Sequence, residues 1–302
     1  MGDFLSGLTE KLSNFAGKWT SYAAFGSFLL YLVGYLTLRF QLSTYGLATD
    51  LDLFDEKYLF AGCRFVVYLV SCIPSILILV LVLTAIGYLP YRLTPAVIRE
   101  RLRQWLAGLW ANPAYLAIKG IVLAVIFIQL VMRKCFAFGN LLLRKDLPDE
   151  WITSILLAGD GRLALYFSGL VAGTLLTALI AWQAAQRGSP AAPFTRFLVA
   201  TLVFLVAVEF LLLPVNYGVL ISTQQLPQVA ELPADGKSME GGRAWMVWNS
   251  KDSLTYFLYG PSDRRMLLTI PRKDLPVRIV AYDDIYCVLF SAEHSNARPC
   301  PR

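Results

Sequence analysis

The run from Tyr58 to Pro90, YLFAGCRFVVYLVSCIPSILILVLVLTAIGYLP, carries a single charge, Arg64. A helix rises about 1.5 Å per residue, and the hydrocarbon core of a bilayer takes about 20 mostly apolar residues. The run is therefore longer than one perpendicular crossing. It reads as one tilted helix, kinked at Pro74, whose ring removes a backbone donor. The whole chain is 57% hydrophobic and 16% charged, against roughly 45–50% and about 25% in soluble domains. These deviations place it among integral membrane proteins.

Four further apolar runs follow the same logic, at about 21–40, 115–138, 161–183 and 197–221. The expected fold class is mainly α: a polytopic helical membrane bundle of about five spans with a small C-terminal all-β domain. Residues 1–20 place Phe4, Leu5, Leu8, Leu12, Phe15 and Trp19 at helical spacing. That pattern suits an amphipathic helix in the membrane interface, or an ordinary helix packed on its own protein. No basic n-region leads into a short apolar core, so no cleaved signal peptide is expected. The bundle is assigned to 21–221. Residues 222–242, rich in proline, glycine and polar side chains, read as a linker. Within 243–302 the segments RAWMVWN, SLTYFLYG, RRMLLTI, VRIVAYD and IYCVLF read as five short strands.

Charge sets the expected orientation. The N-terminus, the Arg92–Arg103 segment and the Arg187–Arg196 loop hold more cations than the acidic loop before Tyr58 and the mixed segment Arg133–Arg162. The positive-inside rule puts the first set in the cytoplasm and, with five spans, the C-terminal domain outside. In a bacterium this is the inner membrane, with the sheet in the periplasm. A sixth crossing within the long second run would reverse the assignment. Thr94-Pro95 reads as the cap and first-turn proline of a basic amphipathic helix.

Few residues suggest chemistry. The single histidine, His294, and the five scattered cysteines offer no triad and no metal spacing. Asp283 and Asp284 are neighbours on a strand and face opposite ways. No catalytic residue, metal ligand or cofactor is expected, and no nucleic-acid motif is present. Three features remain. Arg64 and Glu209 lie inside apolar runs, so each should turn away from lipid, as partners in the bundle or as part of an ion path. Gly169, Gly173, Thr177, Ala181 and Ala185 recur at every fourth position, a ladder of small residues suited to close helix contact within the chain or between copies. Cys287 and Cys300 could form a disulfide if their domain is exported.

These observations favour a non-enzymatic accessory, assembly or scaffold subunit. Its outer loops and β domain would bind a protein partner or a second copy, and its spans the lipid bilayer. The alternative is a channel or transporter using Arg64 and Glu209. The topology is testable by reporter fusions after Ile221 and Arg302: both should report the non-cytoplasmic side, and cytoplasmic activity at both would refute the five-span orientation.

Overall fold

A computed structural model describes residues 2–47, 56–101, 104, 112–137, 139–143, 160–187, 192–222, 225–230, 243–260, 264–272, 277–285 and 288. Five helices are long and apolar enough to cross a membrane. They are α1 (Gly2–Tyr45), α2 (Lys57–Leu93), α3 (Pro113–Ala137), α4 (Asp160–Arg187) and α5 (Pro193–Asn216), and α5 continues into a π-turn, Tyr217–Ile221. Strands β1 (Gln225–Val229), β2 (Arg243–Asn249), β3 (Ser253–Gly260), β4 (Arg264–Pro271) and β5 (Ile279–Asp284) form one sheet in the order β4-β3-β2-β1-β5. Every pairing in it is antiparallel.

α1 has no break where the interfacial segment was expected to end. Nothing in KWTSYA removes a backbone donor, so one helix carries the chain from Gly2 through the apolar span. It stops because Gly46 takes the left-handed conformation, φ 79°. The Gly46 N–H bonds the Ser43 carbonyl and the Leu47 N–H reaches Leu42, at 3.1 and 3.0 Å, the paired bonds of a Schellman ending. The turn at 139–143 then adds donors to this end, with Asn140 N–H also on Ser43 and Leu141 N–H on Thr44.

α2 runs through Pro74 and Pro90 for 37 residues, roughly 55 Å at about 1.5 Å per residue. Thr94-Pro95 was read as a helix start; helix does resume at residue 96, with the Arg99 N–H on the Pro95 carbonyl, but Thr94 closes the preceding helix. Its N–H and its hydroxyl both return to the Pro90 carbonyl, at 3.0 and 2.6 Å. The Arg99 guanidinium adds bonds to the carbonyls of Arg92 and Thr94, a cation at a helix C-terminus.

The helices pack as a hairpin, α1–α2, against a trio, α3–α4–α5. Small residues let the trio approach closely: Ala117, Ala124, Ala181 and Ala184 are all buried in it. The hairpin is tighter still. A Cβ on Gly34 would overlap the Tyr58 carbonyl, and one on Gly62 would overlap that of Leu30. Gly218 of the π-turn meets the Thr37 carbonyl in the same way. Hairpin and trio join through Phe65, Cys72, Val131, Phe167, Leu170 and Tyr217. Within that cluster Phe65, Tyr68 and Phe167 each stand near Tyr217, with ring centroids 5.1–6.4 Å apart. Beyond Ile76, which still packs on this cluster, the second helix leaves the bundle. From Leu77 to Leu93 every side chain described is exposed, on all sides of the helix.

The sheet differs from the expectation at both ends. The stretch 222–242, read as a linker, contains β1, which lies between β2 and β5. Leu226 and Val229 bury, and this outweighs the loop signal of Pro227. A strand proline is tolerated where a ladder is incomplete, and β1 meets β2 at Gln228↔Trp245 while it pairs along its length with β5. IYCVLF, read as a strand, is not one where it is described: Ile285 and Val288 are helical and buried. The remaining four strand readings correspond to β2 through β5.

Alternation along β3 divides the sheet's two faces. Tyr256 and Leu258 join Val229, Ala244, Leu254 and Ile270 on one side. Phe257, with Trp245 and Leu226, turns to the helices. There it joins a single cluster with Leu42 and Tyr45 of α1, Leu141 and Leu142 of the turn, Leu163 of α4, and Val219 and Leu220 of the π-turn. The sheet is therefore seated on the bundle end and does not hang from a tether.

The glycine contacts generate a test. Gly34→Leu should cost at least about 1–3 kcal/mol, because backbone faces it and cannot give way. Gly169→Leu should change stability by no more than about 0.5 kcal/mol, since nothing lies within 4 Å of a Cβ there. Thermal unfolding in mild detergent measures both, and equal losses would contradict the packing.

Candidate functional site

Three segments converge under the sheet and meet its strand β2. α1 supplies Thr37, Leu38 and Gln41, α2 supplies Lys57, Phe60, Ala61 and Arg64, and the π-turn and β2 supply Tyr217, Ser222, Val247 and Trp248. They enclose a cleft of about 500 Å³, in the range of small-ligand sites. The convergence follows from the glycines, since Gly34, Gly62 and Gly218 bring α1, α2 and the π-turn into backbone contact beside it.

The walls are well tied. The Gln41 amide donates to the Ser222 carbonyl at 3.1 Å. The Thr37 hydroxyl lies 2.9 Å from the Val33 carbonyl and 3.3 Å from that of Pro214. Lys57 donates to the Asn249 carbonyl at 2.6 Å, and its ammonium lies 5.0 Å from the Trp248 ring centroid. That places a cation on an aromatic face. Among the described residues two cations, Lys57 and Arg64, line the cleft, together with polar and apolar side chains. Arg64 is an exposed residue with no hydrogen bond or ion pair to any described residue.

The expected pair is not formed. Glu209 is fully buried, and the Thr177 hydroxyl of α4 donates to its Oε2. Its Oε1 has no hydrogen-bond partner among the described residues. Arg64 stands at the level of Tyr217, eight residues further along than Glu209, about 12 Å at 1.5 Å per residue. The acid belongs to the trio and the arginine to the hairpin.

The ladder divides. Thr177 and Ala181 are buried, and Gly173 packs on the Phe127 ring, whose Cε2 lies 2.8 Å from where a Cβ would stand. Gly169 and Ala185 face outward. Cys287 and Cys300 lie outside the described residues. Asp283 takes a structural role, accepting the Trp245 indole N–H at 2.7 Å. Among the described residues no group of three His, Cys, Asp or Glu side chains is placed to hold a metal. Sequence reasoning missed the cleft because its floor depends on single glycines in different helices, which form no motif. The only local signal was glycine within an otherwise apolar helix.

No protein-family model, curated protein or solved structure matches this chain.

The buried carboxyl predicts a mutant cycle. Thr177→Val leaves both carboxyl oxygens unsatisfied and should cost about 1–3 kcal/mol. Adding Glu209→Leu should recover most of that loss, because removing both partners avoids the unpaired group. Unfolding in detergent measures the cycle; losses that simply add would contradict the contact.

Proposed function

We propose that this chain is a multi-pass integral membrane protein of the cell membrane, working as a non-enzymatic assembly or scaffold subunit. Its N-terminus lies in the cytoplasm and its sheet on the outer side. A protein partner, or a second copy, binds through the outer loops and the sheet and packs within the bilayer along α2. The observation that carries this reading is the second half of α2. Among the described residues, this helix of 37 residues packs on its own chain up to Ile76, and its exposed surface beyond is apolar, with Leu81 at 69% and Leu83 at 59% exposure. Without a hydrophobic drive between helices in lipid, such a surface associates through side-chain packing. Support also comes from the sheet. It is held rigidly against the helices and presents Val280 and Tyr282 outward, at 62% and 64% exposure.

Photo-crosslinking residues placed at Val80 and Leu83 of α2, and at Val280 and Tyr282 of β5, test the reading in native membranes. Discrete protein adducts at fixed stoichiometry are expected, including a dimer of this chain if the partner is a copy. Lipid adducts alone at every position would overturn it.

A second reading rests on Glu209, an intramembrane acid with an unpartnered oxygen in the heart of the trio. If the protein conducts ions, flux in proteoliposomes should fall on Glu209→Gln while stability holds. Flux that is absent in the wild type removes this reading.

A further inference from the structure

We infer that the elbow at the end of α2 docks on anionic phospholipid. Arg92 and Arg101 meet the headgroup phosphates, while Leu93, Val97 and Ile98 lie at the acyl boundary. α2 stops at Leu93, Thr94 takes an extended backbone with ψ 135°, and helix resumes at residue 96. Arg99, in the first turn of the new helix, ties the joint. Its guanidinium donates to the carbonyls of Arg92 and Thr94, both at 3.2 Å, and its Cζ lies 5.0 Å from the centroid of the Tyr91 ring. The bend is therefore held by a side chain as well as by the backbone. Arg92 and Arg101 stand exposed on either side of it. No hydrogen bond or ion pair joins either side chain to any described residue. A guanidinium presents its N–H donors in a planar fork matched to phosphate oxygens.

Two kinds of surface meet at this joint. One is apolar: Leu93 is 80% exposed, Val97 74% and Ile98 55%. The other is basic. From Tyr91 to Gly120 the sequence holds arginines at 92, 99, 101 and 103 and a lysine at 119, and Glu100 is the single acid. Arginines interleaved with exposed aliphatic side chains suit a helix lying in the headgroup layer. Tyr88 and Tyr91, both exposed on the last turns of α2, suit the same depth. An acidic protein segment would meet the arginines but leave the aliphatic side chains in water. A zwitterionic bilayer would cover the aliphatic side chains but leave the net charge uncompensated. An anionic leaflet satisfies both. The inference rests on the multi-pass reading, which brings this end of α2 to a membrane surface.

The test uses the full chain purified in mild detergent. Native mass spectrometry measures binding from an equal mixture of phosphatidylglycerol and phosphatidylcholine. The wild type should prefer phosphatidylglycerol. Arg92→Gln and Arg101→Gln should each lower that preference about fivefold, the contribution of one cation near an anionic surface. Arg39→Gln, which removes an exposed arginine at the other end of the α1–α2 hairpin, should leave it unchanged. A photo-crosslinker at Val97 in native membranes should capture phospholipid. The inference is overturned by a wild type without the preference, or by a preference that survives loss of both Arg92 and Arg101. It is also overturned if Arg39→Gln lowers the preference as far, or if Val97 captures protein in place of lipid. These outcomes separate from those of the scaffold reading. A preference lost with Arg92 and Arg101 supports the dock even where Val80, Leu83, Val280 and Tyr282 capture lipid alone. A preference indifferent to both arginines overturns the dock even where those four positions capture a partner.

Discussion

Backbone contact at glycine is the constraint on which the rest of the molecule depends. Where Gly34 meets Tyr58, Gly62 meets Leu30 and Gly218 meets Thr37, no side chain separates one segment from the next. Helices in lipid gain little from hydrophobicity, so contact of this kind supplies dispersion and close fit that larger residues would prevent. The three contacts tie α1 to α2 and to the π-turn at one end of the bundle. That end carries the cleft and receives the sheet.

What sits on it is a continuous core. Tyr45 and Leu42 finish α1, Leu220 lies in the π-turn after α5, Leu142 lies in the turn after α3, and Trp245 with Phe257 enters from the sheet. A sheet that shares a core with helices cannot move independently, because separating them would expose this whole cluster to water. The Schellman ending of α1 contributes directly: Leu47, just past Gly46, packs against the same cluster. The opposite end of the molecule is built differently. There α2 extends past the trio with apolar side chains all round, a surface suited to lipid or to another helix.

How much of this was legible depends on the range of the interaction involved. Five apolar runs could be read because crossing length is a local property, and the strands of β2, β3 and β4 because aromatic and β-branched residues cluster within them. β1 was hidden by Pro227, whose cost is offset by pairing with β5, a partner some 50 residues away. Ile285 and Val288 read as strand because a short apolar run does not distinguish helix from strand. Of the small-residue ladder on α4, Thr177 and Ala181 are buried and Gly173 packs on Phe127, whereas Gly169 and Ala185 face outward; spacing alone does not say which side of a helix faces a neighbour. Arg64 and Glu209 were singled out as ionisable groups within apolar runs; Glu209 is buried and Arg64 exposed. No direct bond joins them among the described residues, because position along a helix axis fixes one coordinate only, and the two lie on different helix groups.

The central claim is that helices and sheet form one rigid unit. Its most direct measurement is the distance between spin labels at Ser43, on the last turn of α1, and Lys251, in the turn between β2 and β3. The chain would carry no other reactive cysteine. A single narrow distribution, the same in detergent and in lipid nanodiscs, is what a shared core requires. A broad distribution spanning tens of ångströms, as expected of a domain on a flexible tether, would contradict it.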